Sequence, residues 1–195
     1  MIEYFLIILF VTIFGILHSG VSALPVKSKI IDRWGKEGYA KTFNATSILS
    51  ISLAFLSMWF WDWLYFLFTP SLVQPFLFLG GGILIVIGLW LSMAASKVIS
   101  VSTVADMRTD RRPELITDGI YSRVRHPLYL ATIILLFGLV LIYPFAQVAV
   151  FSLSLIIYTL IGAYLEERKL VLHYGDEYLE YRKRAGFLLP KSRRL

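Results

Sequence analysis

Every Lys and Arg of this chain falls in one of three segments, and the stretches between those segments are long, apolar and almost free of charge. The first segment holds Lys27, Lys29, Arg33, Lys36 and Lys41. The second holds Lys97, Arg108, Arg111, Arg112, Arg123 and Arg125. The third holds Arg168, Lys169, Arg182, Lys183, Arg184, Lys191, Arg193 and Arg194. Outside them the only charges are Glu3 and Asp62. A mean hydropathy of +0.71 and 16% charged residues, against about 25% in an ordinary soluble domain, place such a chain in a bilayer.

A helix needs about 20 mostly apolar residues to cross a membrane. Tyr4–Val26, Thr42–Trp61 and Leu72–Ser96 each supply one. The run from Pro127 to Leu165 is uncharged and about twice that length, with Tyr143-Pro144 near its middle. Proline and the residue before it both disfavour helix continuation, so the run is expected to be two helices joined by a tight turn. Five spans put all three basic segments on one side, and basic loops mark the cytoplasmic side. The expectation is an all-α, polytopic integral membrane protein of one domain over residues 1–195. Its N-terminus is outside and its C-terminus cytoplasmic, with the catalytic region over about 97–195. Trp59, Trp61 and Trp63 are expected to form an interfacial belt, and Glu166–Leu195 to lie outside the membrane.

Several function classes drop out. The net charge of +6 invites nucleic acid, but topology accounts for where the charges sit. The chain has no cysteine, which excludes disulfides and thiolate metal sites, and no His/Asp/Glu set has metal-ligand spacing. Met1-Ile2-Glu3 lacks the positive flank of a secretory signal, so the first apolar run is read as a span. The run Gly80-Gly81-Gly82 with Gly88 lacks the Lys-Ser/Thr of a phosphate loop, and is expected to serve close helix packing. His18 is expected to be a packed or interfacial histidine.

Two polar clusters flank the fourth and fifth expected helices: Asp118–Tyr129, and Glu166–Arg168 followed by His173–Arg182. An antiparallel hairpin brings its start and end together, so one pocket can be built from both. Pro127 suits a first helical turn, where free N–H groups favour an anion, with Arg125 and His126 beside them. Glu166-Glu167 sits at a helix C-terminus, a poor place for acids as helix stabilisers and a suitable one for a cationic or hydroxyl-bearing ligand. An amino acid–nucleoside such as S-adenosylmethionine carries the matching groups. The alternatives stay open: Arg125 and His126 as headgroup contacts, the glutamates as partners of Arg168 or Lys169, and Tyr174, Tyr178 and Tyr181 as an interfacial helix face.

At these residues the sequence resembles the isoprenylcysteine carboxyl methyltransferase family, within the wider group that includes phospholipid N-methyltransferases. The resemblance is carried by Leu115-Ile116-Thr117-Asp118-Gly119-Ile120-Tyr121 and Arg125-His126-Pro127-Leu128-Tyr129. A second block follows with Glu166-Glu167, Leu170, Gly175, Tyr178-Leu179-Glu180-Tyr181 and Pro190. It implies S-adenosylmethionine bound by Leu115, Ile116, Tyr121, His126, Pro127, Leu128, Tyr129 and Glu166. Glu167, Arg168 and Arg182 are the candidates for the acceptor side. Eukaryotic members carry an acceptor-binding arginine one turn before the glutamate pair, where this chain has Gly162. The expected acceptor is a lipophilic one, a prenylated cysteine-like carboxylate first and a phospholipid or other lipid amine second, with membrane lipids as surroundings. Rival classes are a membrane sterol or quinone reductase and a non-enzymatic membrane adaptor.

Overall fold

The computed structural model describes residues 2–97 and 115–191. Arg108, Arg111, Arg112, Arg193 and Arg194, and most of the expected polar stretch after Lys97, lie outside the described residues. Among the described residues the chain is helical, without strands: α1 Ile2–Ser22, α2 Leu24–Leu56, the single turn α3 Tyr65–Phe68, α4 Pro75–Ser96, α5 Pro127–Ile142, α6 Ala146–Tyr174 and α7 Asp176–Arg184. Helices α1, α4 and α6 are long and apolar enough to cross a bilayer. Helix α5 is apolar but has 16 residues, about 24 Å at 1.5 Å per residue. These elements make an all-α integral membrane protein.

The expected loop over Lys27–Lys41 is helical instead. Helix α2 starts with Pro25 in its first turn and runs through the basic stretch to Leu56, broken only at Gly35 (φ +71°, ψ 179°). Lys, Glu and Ala are good helix formers, and one glycine absorbs the change of direction that a loop was expected to make. The second expected span, Thr42–Trp61, is therefore the later part of α2 and ends five residues early. It is diluted by hydroxyls, which return their protons to the preceding turn: Thr42 to Gly38, Thr46 to Thr42 and Ser50 to Thr46, at 2.6–2.8 Å. That satisfies the hydroxyls within the helix itself.

The chain forms two compact units, Met1–Leu79 with Val140–Tyr158, and Gly80–Leu139 with Thr159–Leu195. In the first, α1 lies on α2 and on the early part of α6. Gly15 faces the Tyr158 ring so closely that a Cβ would stand 2.8 Å from it. His18 is packed, as expected, between Phe14 and Phe43, with Nδ1 2.9 Å from Ser47 Oγ. The Trp59–Trp63 segment follows α2 as irregular backbone. Trp59 and Trp61 are exposed, whereas Trp63 turns inward against Phe55, Phe60 and Tyr143. The turn at Tyr143-Pro144 is held there by Tyr65 donating to Ile142 O (2.6 Å) and Tyr143 donating to Trp63 O (3.0 Å).

In the second unit the glycines of α4 do what packing requires. A Cβ on Gly138 of α5 would stand 2.9 Å from Gly81 O. One on Gly88 would meet the Leu135 side chain at 2.6 Å and Ala131 O at 3.2 Å. This is close backbone approach through small residues, which holds helices together where lipid gives no hydrophobic drive. Helix α6 continues past Leu165 to Tyr174, so Glu166 and Glu167 are helical residues rather than the start of a tail. Gly175 (φ +58°) then reverses the chain into α7.

Candidate active site

The second unit joins the two polar clusters through one buried carboxylate. Glu167 Oε1 receives the Tyr178 hydroxyl at 2.5 Å, Arg125 Nε at 2.8 Å and His126 Nε2 at 3.0 Å. Its Oε2 receives Arg125 Nη2 at 3.0 Å and faces Arg182 Nε at 3.3 Å. His126 is 3% exposed, Glu167 7% and Tyr178 1%. Two guanidinium groups, which only donate, and the Tyr178 O–H surround one carboxyl group, which makes it an ionised acceptor.

The chain after α7 completes the assembly. Val124 and Gly186 form an isolated parallel bridge: Arg125 N–H donates to Gly186 O (2.8 Å), Gly186 N–H to Arg123 O (2.9 Å) and His126 N–H to Phe187 O (3.2 Å). Arg125 Nη1 donates to Ala185 O at 2.6 Å. The Phe187 ring stands edge-on to His126 with centroids 5.0 Å apart and carries the Arg125 guanidinium at 5.8 Å. Lys191 Nζ donates to Arg182 O and Lys183 O, capping the end of α7. Helix α7 itself is anchored by Tyr178 and by Tyr181, whose hydroxyl donates to Tyr121 O at 2.6 Å.

These contacts correct several expectations. Tyr178 and Tyr181 are buried and hydrogen-bonded, not an interfacial face; Tyr174 packs against their cluster. The helical spacing holds for Tyr178 and Tyr181 on α7, whose face turns inward onto Glu167 and Tyr121 O, whereas Tyr174 ends α6 and Gly175 separates it from them. The glutamate pair does not pair with Arg168 or Lys169; Glu167 takes Arg125 and Arg182. The Arg125 and His126 side chains expected to help hold an anion at the start of the hairpin meet the Glu167 carboxylate instead. Arg125 is not a headgroup contact, and Glu167 is not an open acceptor group. Arg168 is exposed on α6, apart from this network.

Glu166 is the different member of the pair. It is half-buried, and among the described residues no side chain bonds or pairs with its carboxylate. It lies near Tyr121, whose phenol is pushed up to about 12, first by burial and then by the Glu166 charge. Burial likewise pushes Tyr181 up to about 12. Pro127 is buried and Tyr129 half-buried, with its ring 5.5 Å from that of His126. Leu115 and Ile116 are half-buried, Leu115 packing against the Tyr178–Tyr181 cluster, while Leu128 is exposed. One turn before Glu166, a Cβ on Gly162 would meet Tyr129 only at 3.8 Å, an ordinary contact. The role of Gly186, Phe187 and Lys191 had no periodic or motif signal in the sequence.

Residues 76–177, more than half of the chain, match the phospholipid methyltransferase family. The chain belongs to that family. It is 30% identical over 200 residues to the methanethiol S-methyltransferase of Pseudomonas deceptionensis, covering 96% of this chain and 72% of that protein. Over 81 residues it is 36% identical to methanethiol S-methyltransferase 1 of Bradyrhizobium diazoefficiens, covering 42% of this chain and 28% of that one. With the protein-S-isoprenylcysteine O-methyltransferase of Schizosaccharomyces pombe it shares 35% identity over 92 residues, 47% of this chain and 39% of that one. No solved structure matches. Family membership makes the chain a membrane methyltransferase, which sets aside the reductase and adaptor alternatives, and it bears out the resemblance drawn from the two polar blocks.

Proposed function

We propose that this family member transfers the methyl group of S-adenosylmethionine to a thiol, at the cytoplasmic end of its membrane helices. The observation that carries the choice of acceptor is the engagement of Arg125. Its guanidinium is spent on both oxygens of Glu167 and on Ala185 O, and Gly162 brings no side chain. A thiol needs no fixed cation to orient it, whereas a carboxylate does. The long alignment with a methanethiol S-methyltransferase supports the same reading.

The residues fit the donor's chemistry. Glu166 is a carboxylate to which no side chain bonds among the described residues, suited to an ammonium group or hydroxyls, with the Tyr121 phenol nearby, and Leu115 and Ile116 offer half-buried apolar surface. Bound there, S-adenosylmethionine supplies a methyl group on a positively charged sulfur. The protein's part is to align the acceptor sulfur with that carbon and keep water out, to which the burial of His126, Pro127 and Tyr178 beside Glu167 is suited. An ordinary thiol is a few per cent thiolate at pH 7 and is a strong nucleophile in that form. A site at the membrane surface meets a water-soluble donor and an acceptor that partitions into lipid.

A prenylated cysteine carboxylate is the second reading. Arg182 favours it: its side chain is 44% exposed and its nearest approach to Glu167 is Nε at 3.3 Å, which leaves guanidinium N–H groups for an anion. Incubating the purified protein with S-adenosylmethionine and, separately, methanethiol, a farnesylated cysteine and a phosphatidylethanolamine tests the choice. Methylation of the thiol is expected. Methylation of the farnesylated cysteine alone would install the second reading, and of the lipid amine alone would overturn both.

A further inference from the structure

We infer that Glu167 is a positioning residue, which locks His126 as the tautomer protonated on Nε2 and so presents the Nδ1 lone pair as a hydrogen-bond acceptor to the methyl donor. The donor's part rests on the function proposed above; the tautomer does not.

The geometry fixes the proton on one ring nitrogen, Nε2. Glu167 Oε1 already takes the Tyr178 hydroxyl and Arg125 Nε, and Oε2 takes Arg125 Nη2 with Arg182 Nε beside it. Arginine only donates. A carboxyl group so surrounded carries no proton of its own, so at the 3.0 Å contact with His126 the ring nitrogen must donate. A neutral imidazole that donates from Nε2 accepts at Nδ1. The ring is packed against Phe187, edge-on at 5.0 Å, and against Tyr129 at 5.5 Å. His126 is fixed at backbone level too, by its N–H on Phe187 O. The buried ion pair thus does more than join two helices: it sets the polarity of a ring in the first cofactor block. His126 Nδ1 and the Glu166 carboxylate are then two acceptors for a ligand that brings an ammonium group and hydroxyls.

The chain holds three histidines, so ring ¹⁵N resonances of the detergent-solubilised protein can be assigned by losing one in His126→Gln. The expected His126 spectrum has a protonated Nε2 and a bare Nδ1. Glu167→Gln places an amide that can donate as well as accept against Nε2, and should populate the opposite tautomer. Tyr178→Phe keeps the carboxylate and should leave the tautomer unchanged. S-adenosylhomocysteine binding by calorimetry should weaken at least tenfold in Glu167→Gln and in His126→Gln. The double variant should be no weaker than His126→Gln, since the two act through one group. A spectrum with Nδ1 protonated, alone or together with Nε2, overturns the inference, and so do additive losses in the double variant. If wild-type protein binds no S-adenosylhomocysteine, the donor reading fails and Nδ1's role with it, while the spectrum still decides the tautomer. Should Glu167→Gln fail to fold, the wild-type spectrum and Tyr178→Phe decide it.

Discussion

Arg125 holds Glu167 in a two-pronged grip, Nε to Oε1 at 2.8 Å and Nη2 to Oε2 at 3.0 Å, across 42 positions of sequence. The pair ties the start of α5 to α6 and, through Ala185 O, to the chain beyond α7. Removing one partner of a buried pair leaves the other charge uncompensated, at about 3–5 kcal/mol. Arg125→Ala should therefore lower the thermal midpoint in detergent steeply. Arg125→Lys should fall in between, keeping the charge but losing the second prong. Equal midpoints for the lysine and wild-type proteins would mean that the fork geometry contributes nothing.

That the two blocks meet was legible in the sequence. Pro144 divides an uncharged run too long for one span, and a hairpin must bring Arg125-His126 and Glu166-Glu167 together. Which glutamate turns inward was not legible, because the two are adjacent on one helix, and only the position of Tyr178 on α7 distinguishes them. The inward turn of Tyr181 and the Val124–Gly186 bridge were equally hidden, since a one-residue bridge has no period to detect. Helix α2 was misjudged for a different reason. A run of charge suggests a loop, yet Lys27, Lys36 and Glu37 are ordinary helix residues, and a single kink at Gly35 carries the helix through them.

Burial, and then the bond to Glu167, raise Tyr178 above the ordinary tyrosine range. The folded protein keeps this phenol protonated where the unfolded chain ionises it, near pH 10. Its contribution is thus complete below about pH 10 and is lost as pH climbs towards the folded value. Tyr178→Phe should be less stable than wild type at pH 8. The gap should narrow steadily between about pH 10 and 12 in thermal melts run as a pH series. A constant gap would show that the hydroxyl does not titrate differently in the two states.

Glycines on the helices of the second unit separate into two kinds. At Gly138 a Cβ would press on Gly81 O at 2.9 Å, a backbone atom that cannot step aside; at Gly162 it would make ordinary contact with Tyr129. Gly138→Ala should cost about 1–3 kcal/mol by overpacking. Gly162→Ala should be neutral or stabilising by up to about 1 kcal/mol, because alanine is the better helix former. Paired thermal melts give the order directly, and a Gly162→Ala protein less stable than Gly138→Ala would contradict it.

Sidedness follows from charge. The basic segments between α1 and the later part of α2, between α4 and α5, and from Arg168 near the end of α6 onward share one face if the chain crosses five times. The chain has no native cysteine, so single cysteines at Ser71 and Glu177 report cleanly. A membrane-impermeant reagent should reach the first from outside the cell and the second only after permeabilisation. Labelling of both from one side would remove the five-span topology.

Arg182 separates the two acceptor readings. Its Nε lies 3.3 Å from Glu167 Oε2, the longest of the contacts on that carboxylate, and its side chain is the exposed one. Glu167 keeps Arg125, His126 and Tyr178 without it, so Arg182→Ala should leave the network standing and the thermal midpoint within a few degrees of wild type. If a thiol is the acceptor, turnover in Arg182→Ala should stay within about twofold, since a thiol offers no anionic headgroup for the guanidinium to orient. If a prenylated carboxylate is the acceptor, the lost charge-assisted hydrogen bond is worth about 1.5–3 kcal/mol. At about 1.4 kcal/mol per decade, kcat/KM for that acceptor should then fall roughly 10- to 150-fold. S-adenosylhomocysteine affinity should be unchanged in either case, because Arg182 lies on the Glu167 side of the pair. Steady-state kinetics of both proteins on both acceptors, with the affinity measured alongside, give the answer. A parallel loss on thiol and carboxylate would mark Arg182 as a structural strut of α7 and leave neither reading favoured by it.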